Sequence, residues 1–140
     1  MVDPKHIRNT ALAFQIASDR CFEERPLSNG LNQKPVVPAI VCTAFGIELS
    51  LKAIIAFETG TVDSRKHELH QLFIKLTPKS KSALALAMDL GEDVIRQKLM
   101  AHSKVFVEWR YIYESSSASV EYEFLRYLLK AATSYLESFG

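Results

Sequence analysis

Residues 38–60 read PAIVCTAFGIELSLKAIIAFETG, and the period of their apolar residues decides the fold class. Ile40, Ala44, Ile47, Leu51 and Ile55 recur at steps of three and four, which places them on one face of an α-helix that Pro38 opens and Gly60 closes. A strand would need strict alternation instead. On the N-terminal side, Ile7, Ala11, Phe14 and Cys21 form a stripe on a helix expected from about Asp3 to Arg25. Asp3 supplies its N-cap, Pro4 fits its first turn, and Pro26 is expected to stop it. At the other end, Leu125, Leu128, Leu129, Ala132, Leu136 and Phe139 repeat the pattern on a helix from about Val120. Between them the reading places a short helix from Glu68 to Leu76, a helix from about Lys79 to His102, and a helical stretch around Val105 to Glu114.

The expectation is an all-α helical bundle of four to five main helices with additional short helices. Two breaks punctuate it. Residues Pro26 to Pro35 hold Ser28, Asn29 and Gly30, the composition of a turn within a mobile surface loop. Ser115, Ser116, Ser117 and Ser119 compete for backbone hydrogen bonds and suit a hinge better than a helix interior. No internal repeat and no useful strand-like alternation is visible.

Composition narrows the function classes. At 140 residues, 48% hydrophobic and 24% charged, the chain suits one domain, residues 1–140, with one substantial core. A net charge of +1 is too small for broad attraction to nucleic acid or membrane, so any nucleic-acid contact is local. Cys21 and Cys42 fall on separate helices without metal-type spacing and are read as buried thiols in a reducing compartment. The first ten residues have no apolar signal core, and the apolar stretches are read as interrupted before membrane-spanning length. A cytoplasmic location, with no membrane partner, is expected.

Three groups of residues could carry chemistry. In the segment from Phe106 to Glu114, helical spacing puts Phe106, Trp109 and Tyr113 on one face and Val107, Arg110, Tyr111 and Glu114 on the adjacent one. Arg110 either pairs with Glu114 or presents its forked donors to a phosphate or carboxylate beside Tyr111 or Tyr113. Glu48 and Lys52, four apart in the favourable order, interrupt the apolar helix. They form either a boundary salt bridge or part of a polar network reaching Arg110 or His67. His67 and His70 stand one turn apart beside Leu69, Leu72, Phe73 and Leu76; with both cysteines distant, no metal site and no cofactor is expected, and His67 is read as anchoring the start of the short helix.

Taken in order, Ala44-Phe45-Gly46-Ile47-Glu48-Leu49-Ser50-Leu51-Lys52-Ala53, the helix-ending Gly60, His67-Glu68-Leu69-His70-Gln71-Leu72-Phe73 and Trp109-Arg110-Tyr111 resemble the motif series of the HEPN (higher eukaryote and prokaryote nucleotide-binding) helical family. The likeness runs from Ala44 to Glu114, about half of the chain. It implies a helical bundle that often pairs as a homodimer. Many members are metal-independent ribonucleases of toxin–antitoxin, phage-defence or RNA-processing systems, with an arginine and a histidine separated by four to six residues. In such a pair the histidine moves a proton and the arginine stabilises phosphorane charge.

This chain departs from that pattern. Arg110 takes the arginine position, but the residues where its histidine would stand are Ser115, Ser116 and Ser117. Arg65 with His70 and Arg96 with His102 fit the spacing by count, although about 0.6 such matches arise by chance at these frequencies. Arg96 and His102 form the reserve catalytic pair. The leading expectation is a non-catalytic, homodimeric HEPN-like module that binds a nucleotide, RNA or a protein partner around Glu48, Lys52, His67, Arg110 and Tyr111. The alternatives are an active ribonuclease, or a bundle that works only through a protein partner.

Overall fold

The computed structural model describes residues 3–23, 25–26, 32–33, 36–63, 65–103 and 121–140. Arg110, Tyr111, the helix expected around Val105 to Glu114, the serine hinge and most of the Pro26–Pro35 loop lie outside the described residues. Within them the chain is an all-α bundle of α1 (Pro4–Cys21), α2 (Val36–Thr59), α3 (Leu69–Ile74), α4 (Pro78–Met88), α5 (Glu92–Ala101) and α6 (Tyr122–Leu136). Two short strands, β1 (Arg25–Pro26) and β2 (Asn32–Gln33), pair antiparallel with Arg25 opposite Gln33.

Helix α2 is the axis of the bundle. It packs along α1, is crossed by α6 and touches α3. Ile40, Ile47, Leu51 and Ile54 on it are 0–1% exposed, and burying such a side chain stabilises by roughly 1.5–3 kcal/mol. One continuous core joins them to Leu72 and Phe73 of α3, Leu84 of α4, Ile95 and Leu99 of α5, and Leu125, Leu128, Leu129 and Leu136 of α6. Gly46 lets α6 come close: a Cβ there would stand 3.0 Å from the Leu129 side chain. Gly60 ends α2 at φ +82°, a conformation that costs glycine nothing.

By length and hydropathy Val37–Thr59 could cross a bilayer, so the apolar stretches do reach spanning length, contrary to the sequence reading. The reading treated Glu48 and Lys52 as interruptions, whereas their opposite charges lie within a single uninterrupted helix. In the fold 72% of its most apolar window is buried, chiefly under α1 and α6.

Three boundaries differ from the sequence reading. Asp3 caps α1 as expected, accepting from the Lys5 amide at 3.0 Å, but the helix ends at Cys21, ahead of Pro26. Phe22 leaves the helix to stack on Tyr122, with ring centroids 5.5 Å apart, and carries the Arg126 guanidinium 4.0 Å above its ring. The helix expected from Lys79 to His102 is two helices. Asp89 adopts the left-handed conformation (φ 54°, ψ 42°), its amide bonds to Leu86 O and the Leu90 amide to Ala85 O, and Gly91 caps α5. This paired closure satisfies the last carbonyls of α4, and aspartate tolerates the conformation better than most residues. The short helix is trimmed to Leu69–Ile74.

Candidate functional site

Two carboxylates on α2 meet different fates. Glu58, near its C-terminal end, accepts the Thr77 amide at 3.2 Å, the Thr77 hydroxyl at 2.6 Å and the Ser80 hydroxyl, while Ser80 Oγ lies 2.8 Å from the Tyr135 hydroxyl. Thr77 is itself the N-cap of α4, accepting from the Ser80 amide. Every partner of this carboxylate is a neutral donor at a helix start, so the cluster fastens α4 to α2 and α6.

Glu48 sits mid-helix and is 4% exposed; Lys52, one turn on, is 7% exposed. Lys52 Nζ donates to Glu48 Oε2 at 3.0 Å. The pair is therefore buried, not the boundary salt bridge that its spacing also allowed, because α2 is covered along this face. His67, in the extended segment before α3, brings Nδ1 to the same Glu48 oxygen at 3.0 Å and lies 3.5 Å from Lys52 Nζ. A carboxylate only accepts, so Nδ1 donates in this contact and Nε2 is left for a second hydrogen bond. The network reading, with His67 as its third member, is the one realised.

The side chain of His67 is 65% exposed although its anchor is buried. It does not cap α3, whose N-cap is Glu68 without a side-chain cap bond, but its bond to Glu48 anchors the residue before that cap to α2. The ring is thus held at one nitrogen by a buried ion pair and exposed at the other end. Such an arrangement can donate or accept a single hydrogen bond, or relay one proton, at the molecular surface. The remaining two residues of the expected site, Arg110 and Tyr111, are outside the described residues.

The reserve pair is separated. Six residues along a helix turn the side chains about 120° away from each other. Arg96 pairs with Asp93 at 3.6 Å on the outer face of α5. His102 is 7% exposed and ends α5, with Nδ1 donating to Lys98 O at 2.7 Å and Nε2 accepting the Glu121 amide at 3.1 Å. Lys98 Nζ reaches Glu121 at 2.8 Å and holds its carboxyl below the usual range, mainly by hydrogen bonding. His102 therefore ties the end of α5 to the start of α6, and both its nitrogens are committed to backbone. Arg65, in the other chance match, extends into solvent beside Asp63.

Sequence reasoning passed over two features. The Glu58 cluster was signalled by Thr77-Pro78, a cap followed by a first-turn proline. The cysteines, read as buried thiols, are both half-buried and free, and Cys21 is close enough to Cys42 to act on its thiol. Burial first, and Cys21 beside it second, push the Cys42 thiol up. Among the described residues no three His, Cys, Asp or Glu side chains are grouped to hold a metal ion. An apolar groove of about 930 Å³ opens between α4, α5 and α6, lined by Met88, Leu90, Phe124 and Tyr127 among others, away from Glu48 and His67.

Compared with models of protein families, with curated proteins and with solved structures, the chain matches none.

Proposed function

We propose that this chain is a non-catalytic HEPN-like binding module, pairing as a homodimer, whose ligand-binding surface is centred on Glu48, Lys52 and His67 and completed by Arg110 and Tyr111. One observation carries this reading: the buried Glu48–Lys52 pair holds a histidine that is itself 65% exposed. Burying an ion pair is expensive, and a purely structural pair gains little by presenting a ring to solvent. A pair that fixes an exposed imidazole in one orientation prepares it for a ligand at low entropic cost. The ligand classes that suit one oriented imidazole, with an arginine and a tyrosine nearby in the motif order, are a nucleotide, an RNA segment or a partner chain.

The ribonuclease alternative draws less support. The histidine spacing fails after Arg110, and His102 spends both nitrogens on backbone.

The test incubates the full chain with labelled mixed-sequence RNA and, separately, with a nucleotide panel in chelator, reading fluorescence anisotropy and gel integrity together. Binding with intact RNA, weakened at least tenfold by His67→Ala and by Arg110→Ala, is the expected outcome. Chelator-resistant cleavage that His67→Ala or His102→Ala abolishes would replace this reading with the nuclease one. Retention of full binding by both His67→Ala and Arg110→Ala would remove the site from consideration.

A further inference from the structure

The cleft between α1 and α6 is polar, unlike the apolar groove between α4, α5 and α6. About 220 Å³ of space lies above the buried Ser18 and Leu129, walled by Asp19 of α1 and by Glu123, Arg126, Tyr127 and Lys130 of α6. The two helices run antiparallel, with Phe22 stacked on Tyr122 at one end and Arg8 on the Leu136 and Phe139 carbonyls at the other. Asp19 and Glu123 therefore stand toward one end of the cleft and Lys130 toward the opposite end, with Arg126 between them. Along α6 the steps from Glu123 to Arg126 and from Arg126 to Lys130 are about 4.5 and about 6 Å.

The polar groups of this cleft are oriented but uncommitted. Arg126 is fixed 4.0 Å above the Phe22 ring, and its 3.9 Å approach to Asp19 is beyond hydrogen-bonding reach, so its forked donors remain available. Among the described residues Glu123 and Lys130 have no hydrogen bond or ion pair. Thr43 Oγ1 donates to Ala39 O, so Ser18 gives its proton to Thr43 at 2.6 Å and can only accept from a ligand. The Tyr127 ring is 65% exposed on the cleft wall.

We infer that this cleft binds a small zwitterion, a free amino acid, its ammonium held by Asp19, Glu123 and Ser18 and its carboxylate by Arg126 and Lys130. The inference goes beyond the surface proposed at His67 and does not depend on it. Two acids and two bases leave the cleft without net charge, so it does not attract a polyanion. A ligand carrying a single charge would satisfy one end and desolvate the other without compensation, so both charges are required. The three donors of an ammonium match the three acceptors, and the guanidinium fork matches a carboxylate. The space is smaller than the roughly 300–1,000 Å³ of sites for drug-sized molecules, which suits an amino acid whose side chain lies on the Tyr127 ring.

The test titrates the full, isotope-labelled chain with the common amino acids, added singly, and follows backbone amide shifts by NMR. Each amino acid is paired with its amide, which lacks the carboxylate charge, and its N-acetyl form, which lacks the ammonium. The expected result is saturable shifts centred on Ser18, Asp19 and Tyr127 for at least one amino acid, with a Kd of about 1 mM or tighter. Its two singly charged analogues bind at least tenfold more weakly. Asp19→Asn and Lys130→Ala, both at exposed positions, each weaken binding at least fivefold while the urea midpoint stays unchanged. His67→Ala leaves this binding as it is, which separates the cleft from the surface proposed above. Absence of saturable shifts with every amino acid up to about 10 mM, equal binding of the singly charged analogues, or full binding by both variants would each overturn the inference. The first two of these readouts need no variant to fold.

Discussion

His102 and His67 show why the surroundings of a histidine say more than its spacing from an arginine. His102 fits the arginine–histidine interval of a ribonuclease motif, yet it is 7% exposed and gives one nitrogen to Lys98 O and the other to the Glu121 amide. His67 fits no such interval with Arg110, yet one nitrogen rests on a buried carboxylate and its side chain is 65% exposed. In the first case the ring replaces backbone partners that two helix ends would otherwise lack. In the second a buried pair is spent on orienting a surface group. The first arrangement stabilises the fold, and under the proposed function the second prepares a contact, so substitutions should separate stability from binding in opposite ways at the two positions.

The largest effect is expected beneath His67. Glu48→Ala removes the buried acceptor shared by Lys52 and His67 and should cost on the order of 3 kcal/mol in urea titration, lowering the melting temperature by roughly 10 °C. Glu48→Gln keeps an acceptor and should cost less. A loss below about 1 kcal/mol for Glu48→Ala would mean that the pair is hydrated in solution, and the contrast drawn between the two histidines would weaken.

His102→Ala comes next, at about 2 kcal/mol, because it removes two hydrogen bonds from a buried position and orphans the Glu121 amide. Hydrogen exchange gives a local check. The Glu121 amide should be protected in the wild-type chain and exchange faster in the variant, while amides in the middle of α2 change little. The neighbouring Lys98–Glu121 contact adds a pH dependence of known sign. The folded chain depresses the Glu121 carboxyl, so its contribution is complete above the ordinary carboxylate range and fades as acid takes the pH down through the lowered value. Thr77→Ala, which removes the α4 cap and one Glu58 hydroxyl partner, should cost about 1 kcal/mol.

Much of this architecture was readable because local signals and tertiary packing agreed. The stripe from Ile40 to Ile55 is the core face of α2, Asp3-Pro4 does start α1, and the leucines of residues 125–136 are buried together. Reading failed where a local signal lost to a distant one. Pro26 suits a helix stop, but α1 ends earlier, at Cys21, where the Phe22 ring turns to Tyr122 and Arg126 on α6. Apolar residues on both sides of Asp89-Leu90-Gly91 masked a break that Gly91, followed by two acidic residues suited to a helix start, could have announced. At the site, the Glu48–Lys52 spacing was visible, but spacing carries no burial. That the pair is covered, and that His67 joins it, depends on a loop returning to α2 across nineteen positions of sequence.

The smallest effect on stability should come from His67 itself, and it discriminates best. Its side chain is mostly in solvent and its bond to Glu48 is backed by Lys52, so His67→Ala should change the unfolding free energy by less than about 0.5 kcal/mol. If the ring contributes one oriented hydrogen bond to a ligand, the same substitution should weaken RNA or nucleotide binding by about tenfold, equivalent to about 1.4 kcal/mol. His67→Gln, which keeps a donor but not the ring, should fall between wild type and alanine. The informative quantity is the ratio of the two losses. A variant that loses binding while keeping its melting temperature assigns the ring to the ligand. A variant that loses both in proportion would make His67 a third structural partner of the buried pair, and would return it to the class that His102 occupies.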